Sequence, residues 1–150
     1  MTPEALAALH RAAFDRERPW TAEEFRELVA NPFTHLETAA HGFALWRGIA
    51  GEAELLTIAV DPAHHRQGIG AGLMRGWLGR AQENCTRAFL EVASDNTAAI
   101  ALYSRYGFEI AAKRDGYYRR DDGFADALIM QATLPFRAGA GTVGPLDFEG

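Results

Sequence analysis

The run Ile58-Ala59-Val60-Asp61-Pro62-Ala63-His64-His65-Arg66-Gln67-Gly68-Ile69-Gly70-Ala71-Gly72-Leu73-Met74 reads as a strand stopped by a proline, a tight basic loop, and a helix that opens on glycines. Pro62 has no N–H to give a ladder and biases Asp61 away from helix, so the apolar run Leu55 to Val60 ends there. Gly68 and Gly70 carry no Cβ, which lets a ligand approach their backbone closely, and the first N–H groups of the following helix have no partner inside it. With the helix dipole and the Arg66 charge, that end suits an anion such as a diphosphate. An ordinary glycine-softened helix start explains the same pattern equally well. Two other phosphate loops are excluded: no Gly-Lys-Ser or Gly-Lys-Thr is present, and position 73, where a dinucleotide fingerprint needs its third glycine, is Leu73.

Outward from this stretch, 150 residues with 48% hydrophobic content suffice for one well-buried core and are too few for two ordinary domains. No run approaches the ~20 apolar residues that cross a bilayer, and the amino terminus lacks a signal-peptide pattern, so a cytoplasmic protein without a membrane partner is expected. Cys85 is a single cysteine, which leaves neither an internal disulfide nor a thiolate metal pair. A net charge of −5 argues against nucleic acid as a partner and favours a cationic substrate.

Before the central run, Leu6, Leu9, Ala13 and Phe14 recur at helical spacing over 3–15, and Thr21 with Glu24 has the form of a capping box for a second helix, stopped at Asn31-Pro32. From Phe33 to Val60, short apolar runs broken by His41-Gly42, Arg47-Gly48 and Gly51-Glu52 predict an antiparallel meander of about three strands. After it, a helix carries Ile69, Leu73, Trp77 and Ala81 on one stripe, and Ala88 to Ala93 reads as a strand parallel to Leu55–Val60. A helix opening at Asp95-Asn96-Thr97 and ending at Gly107 follows, then strands at Phe108–Ala112 and Phe124–Ala132 joined by a polar hairpin loop over Gly116–Gly123. The expected domain is 1–134. The Gly/Ala-rich tail 135–150 has no periodic signal and the composition of a disordered segment.

Four linked segments resemble the GCN5-related N-acetyltransferases (GNAT), and within them the bacterial enzymes that acetylate the N-terminal alanine of a ribosomal protein. They are Ile58-Ala59-Val60-Asp61-Pro62 with its Arg66-Gln67-Gly68-Ile69-Gly70 loop, Leu90-Glu91-Val92, Asn96-Thr97-Ala98-Ala99-Ile100-Ala101-Leu102-Tyr103, and Tyr106-Gly107-Phe108. The resemblance implies an α+β fold with a central mixed sheet of about six strands flanked by about four helices, and acetyl-CoA as cosubstrate. It also implies that backbone groups of Arg66, Gln67, Gly68, Ile69, Gly70 and Ala71 hold the diphosphate, while Ile58, Ala59 and Val60 pair with the amide-bearing arm. The chain departs from the family twice: His65 occupies the usual Gln/Arg position of the loop motif, and the family's first strand is missing before the first helix.

The resemblance gives Glu91 the role of general base through water and Tyr103 that of general acid toward the coenzyme A sulfur. Read from spacing alone, Glu91 is a carboxylate inside an apolar strand, or a strand-end side chain reaching solvent or an arginine. Tyr103 lies on the inward stripe of its helix and reads equally as a core tyrosine. Asn96 either holds the cofactor arm or caps the helix. Tyr117 and Tyr118 either line the acceptor groove or form an exposed hairpin pair. His64 and His65 point to opposite faces of an extended chain without an Asp/Glu/Cys cluster, so no metal site is expected. The expected reaction is acetyl transfer to a protein N-terminal α-amine, a ribosomal protein in the closest reading. A lysine or small-molecule amine acceptor, and a non-catalytic acetyl-CoA-binding module, stand as alternatives.

Overall fold

A computed structural model describes residues 1–136. Two helices come first, α1 (Pro3–Ala13) and α2 (Ala22–Ala30). They start where their caps dictate. Thr2 accepts the Ala5 N–H at 3.1 Å, and the Thr21–Glu24 capping box closes in both directions at 3.1 and 2.8 Å. The meander β1 (Thr34–Ala39), β2 (Gly42–Ile49) and β3 (Glu52–Val60) follows, then a single 3-10 turn (Pro62–His64) and α3 (Ile69–Ala81). The chain continues through β4 (Arg87–Ala93), α4 (Thr97–Arg105), β5 (Glu109–Arg120) and β6 (Gly123–Thr133). The tail expected over 135–150 lies, beyond its first two positions, outside the described residues.

These strands form one six-stranded sheet in the order β1-β2-β3-β4-β6-β5, antiparallel except at β3–β4. The crossover through α3 accounts for that parallel pair. Among the described residues no strand precedes α1, as the departure at the amino terminus led one to expect.

The sheet is covered on both faces. On one, Leu73, Met74, Trp77 and Leu78 of α3 and Tyr103 of α4 pack with Trp46, Leu55, Leu90 and Met130. On the other, Leu6 and Phe25 of the first two helices pack with Phe43, Leu45 and Ala59. Burying apolar area on both faces at ~25 cal/mol per Å² is the main force holding the layers together.

Two interruptions open the centre of the sheet. Leu45 pairs with Thr57 and Trp46 with Leu55, so Leu56 is an extra residue in β3 and the strand's faces exchange across it. Parallel pairing of β3 with β4 covers only Glu52–Glu54 against Arg87–Phe89. Beyond it the strands splay.

The expected hairpin loop at Gly116–Gly123 is instead mostly strand. β5 runs on to Arg120, and Asp121-Asp122 make the turn. Its ladder with β6 shifts register between Arg114 and Tyr118, where Gly116 takes φ +59° and donates its N–H to Asp126 Oδ1 at 2.9 Å. Glycine accepts that left-handed conformation without penalty, and the aspartate replaces the missing ladder partner, so a polar, glycine-bearing stretch remains extended.

Candidate active site

The splayed strands enclose a cavity of about 430 Å³, with Leu55–Ile58 on one wall and Leu90–Ala93 on the other. Because neighbouring strand residues point to opposite faces, Leu90 and Val92 enter the core with α3 and α4 while Glu91 faces the side of α1 and α2. Tyr103 of α4 reaches the same cavity from the far side of the sheet. The opening therefore passes through the sheet, with an acidic group on one side and a phenol on the other.

Glu91 is not the buried, unpaired carboxylate that its apolar neighbours suggest. Its side chain is 30% exposed, the Tyr118 hydroxyl donates to Oε2 at 2.7 Å, and the Arg114 guanidinium lies 3.9 Å from Oε1. Both structural alternatives, solvent and an arginine, are thus realised together with a third contact. Burial, and then the Glu91 carboxylate, hold the Tyr118 phenol well above the usual tyrosine range, so it remains a donor.

Tyr103 is 6% exposed, and burial likewise raises its phenol far above the ordinary value. Among the described residues its hydroxyl has no hydrogen-bond partner, unlike a core tyrosine satisfied in place. Asn96 lines the cavity and also caps α4, its Oδ1 accepting the Ala99 N–H at 3.2 Å. Tyr118 lines the cavity, but Tyr117 does not. As the next residue along the strand it points away, 53% exposed, with Arg114 5.3 Å above its ring.

The loop residues Arg66–Ala71 and the strand residues Ala59 and Val60 lie outside this cavity, whereas Ile58 borders it. At the loop, Arg66 and Gly68 adopt left-handed φ of +64° and +79°, and Gly68 begins α3 with no side-chain cap. The first helical bond is Gly72 N–H to Gly68 O at 3.0 Å, leaving the N–H groups of Ile69, Gly70 and Ala71 without a helical acceptor. A Cβ on Gly70 would meet only Leu102 Cδ2, at 3.4 Å, so the surface there is open rather than filled. The Tyr106 hydroxyl donates to Ala71 O at 3.2 Å and fastens this turn to α4. An open helix start with three free donors fits a diphosphate, and the edge of β3 from Leu55 to Val60, unpaired toward β4, fits an amide-bearing chain.

Several groups that local spacing does not reveal complete the site. The Arg120 side chain, only 10% exposed, grips both oxygens of Asp95 at 2.8 and 2.9 Å and pairs with Glu17 at 2.9 Å. Arg16 adds a second bond to Asp95 at 2.9 Å. These contacts fix the α1–α2 connection to the junction of β4 and α4. The Arg120 bonds lower the Asp95 pKa, and Asp95 in turn raises that of Arg120. Arg120 also lies 5.4 Å over the Tyr118 ring. His10 borders the cavity too, stacked on Trp20 and tilted against Phe14, its Nδ1 accepting the Trp20 N–H at 3.2 Å. Burial lowers its pKa from 6.5 to about 4.

Residues 4–108 match the acetyltransferase (GNAT) family. The chain belongs to that family. It is an N-acetyltransferase, with acetyl-CoA as cosubstrate. It is 34% identical over 134 residues to the [ribosomal protein bS18]-alanine N-acetyltransferase of Escherichia coli K12, covering 86% of this chain and 90% of that one. It is 37% identical over 134 residues to the N-alpha-acetyltransferase RimI of Mycobacterium tuberculosis, covering 83% and 82%. The crystal structure of the ribosomal-protein-S18-alanine N-acetyltransferase from E. coli superposes with a TM-score of 0.79 at 30% identity, over 95% of this chain and 93% of that one. Ard1 from Thermoplasma volcanium gives 0.74 at 29%, over 89% and 93%. The GNAT fold inferred from four short segments is the fold of the chain. Among the described residues no helix is long and apolar enough to cross a membrane.

Proposed function

We propose that this N-acetyltransferase acts on the α-amine of a protein N-terminus, an alanine-initiated ribosomal protein in the closest reading, in the cytoplasm and within a single domain over 1–134. The observation that carries this is the opening through the sheet, with Glu91 and Tyr118 on one side and Tyr103 on the other. The names of the relatives in E. coli and M. tuberculosis support the acceptor.

Acetyl-CoA supplies an acetyl group activated as a thioester. The three free N–H groups at the start of α3 would bind its diphosphate, with Arg66 and Gln67 beside them, and Ile58, Ala59 and Val60 would pair with its amide arm. Asn96, at the edge of the cavity, would hold the cofactor arm while its Oδ1 caps α4. Glu91, held by Tyr118, takes a proton from the ammonium through water and frees the amine for direct attack. As the new C–N bond forms and the C–S bond breaks, the nitrogen gives up its second proton to solvent, and Tyr103 delivers its own to the departing sulfur and regains one from solvent. Its raised pKa keeps that proton in place at working pH.

Steady-state acetylation of an alanine-initiated peptide by wild type, Glu91→Gln and Tyr103→Phe tests the assignment. Each substitution should lower kcat by about 10²-fold, the low end for general acid–base groups. Turnover unchanged in both variants removes these roles.

A further inference from the structure

The fold assembles a group of donors that the sequence keeps apart. His41, in the turn between β1 and β2, meets Asp61 and His64 at the end of β3, with one ligand atom from each lying within 4.8 Å of the others. The two imidazoles are parallel, 3.4 Å between centroids and 5° between planes. His65, the sequence neighbour of His64, is not in the group, and the second imidazole comes from another hairpin.

We propose that His41, Asp61 and His64 bind a late first-row divalent cation such as Zn²⁺, at a site separate from the acetyl-transfer chemistry. Two imidazoles and one carboxylate are the ligand set that such ions take, with water in the fourth position, whereas Mg²⁺ and Ca²⁺ prefer oxygen donors. Tetrahedral bonds of roughly 2.0–2.1 Å put ligand atoms about 3.3–3.5 Å apart. From 4.8 Å, that separation is reached by side-chain rotation. In-plane lone pairs of two parallel rings run side by side, so to converge on one ion each ring would turn out of the stack by roughly 55°, half the tetrahedral angle, which the exposed His41 side chain has room to do.

The backbone is already in place. The Asp61 N–H donates to His41 O at 2.9 Å, the His64 N–H donates to Asp61 O at 2.8 Å, and Gly42 is in register with Val60. The Asp61 carboxylate is oriented by the Ala63 N–H on Oδ1 at 3.0 Å, leaving Oδ2 for an ion. All three side chains are accessible, His41 exposed and the other two half-buried. His41 also sits at φ +67°, a left-handed conformation that histidine adopts more readily than most side chains. The bound ion would fasten the β1–β2 turn to the start of the loop that leads into α3.

Zinc binding by calorimetry and the visible spectrum of the Co²⁺-loaded full-length protein test this. The comparison set is wild type, His41→Gly, His64→Ala and, as a neighbour outside the group, His65→Ala. His41→Gly removes the ligand while easing the positive φ, and thermal melts verify that it folds. The expected result is one ion per chain, d–d bands of a tetrahedral site, affinity reduced at least about tenfold in His41→Gly and in His64→Ala, and wild-type affinity in His65→Ala. Absence of saturable binding below about 100 μM Zn²⁺, or any other pattern among the variants, overturns the proposal.

Discussion

The Tyr118 hydroxyl donates a 2.7 Å hydrogen bond to Oε2 of Glu91, joining the end of β5 to the middle of β4. That bond sets the direction of the carboxylate at the opening in the sheet. Tyr118→Phe removes it and leaves the ring. Hydrogen bonds to charged groups contribute about 1.5–3 kcal/mol, and partial exposure of Glu91 moves the effect to the lower end, so kcat/KM for peptide should fall about tenfold. The KM for acetyl-CoA should not change. A phenylalanine variant with full activity would mean that Glu91 needs no orientation.

Gly70 separates a cofactor role from a packing role. Alanine there gains up to about 1 kcal/mol of helix propensity and meets only the end of Leu102, so Tm should hold or rise. Its methyl would project where backbone donors meet a diphosphate, and the acetyl-CoA KM should rise about tenfold, or ~1.4 kcal/mol. A stable variant with unchanged KM would place the diphosphate elsewhere.

Arg120 holds two carboxylates, Asp95 and Glu17, that would lose their main cation in Arg120→Ala. Both retain about one third of their side-chain exposure, so water recovers part of the loss and a cost on the order of 1–2 kcal/mol is expected. The α1–α2 connection should loosen, raising peptide KM several-fold with a smaller change in kcat. Lysine, which cannot span both oxygens of Asp95, should rescue only part of the effect. Equal losses in kcat and kcat/KM would instead tie Arg120 to the chemical step.

His10 makes stability depend on pH. Its folded pKa, about 4, lies below the unfolded value of 6.5, so between these values the unfolded chain binds the extra proton and stability falls as pH falls. The contribution is complete above pH 6.5, is lost on the way down to pH 4, and amounts to at most ~3 kcal/mol. His10→Gln should flatten the pH dependence of Tm across that window. An unchanged slope would assign the acid sensitivity to the carboxylates.

What could be read in advance depended on range along the chain. The capping box at Thr21, the strand stop at Pro62, the open helix start at Gly68 and the helix end at Gly107 are local, and each is found where its residues put it. The Leu56 bulge is hidden in a uniformly apolar run, because extra and paired residues there look alike. The Tyr118–Glu91 bond spans 27 positions, Arg120–Asp95 25 and Arg16–Asp95 79, distances at which no spacing rule operates. Tyr117 and Tyr118 form a pair in sequence, but strand alternation sends only one of them to the cavity.

Incubating the protein with acetyl-CoA and two alanine-initiated peptides, identical and containing one lysine except that one is blocked at its α-amine, tests N-terminal transfer most directly. Fragment mass spectrometry should find the acetyl group on the α-nitrogen of the free peptide and none on the blocked one. Lysine acetylation in both peptides, or transfer to neither, would contradict the account.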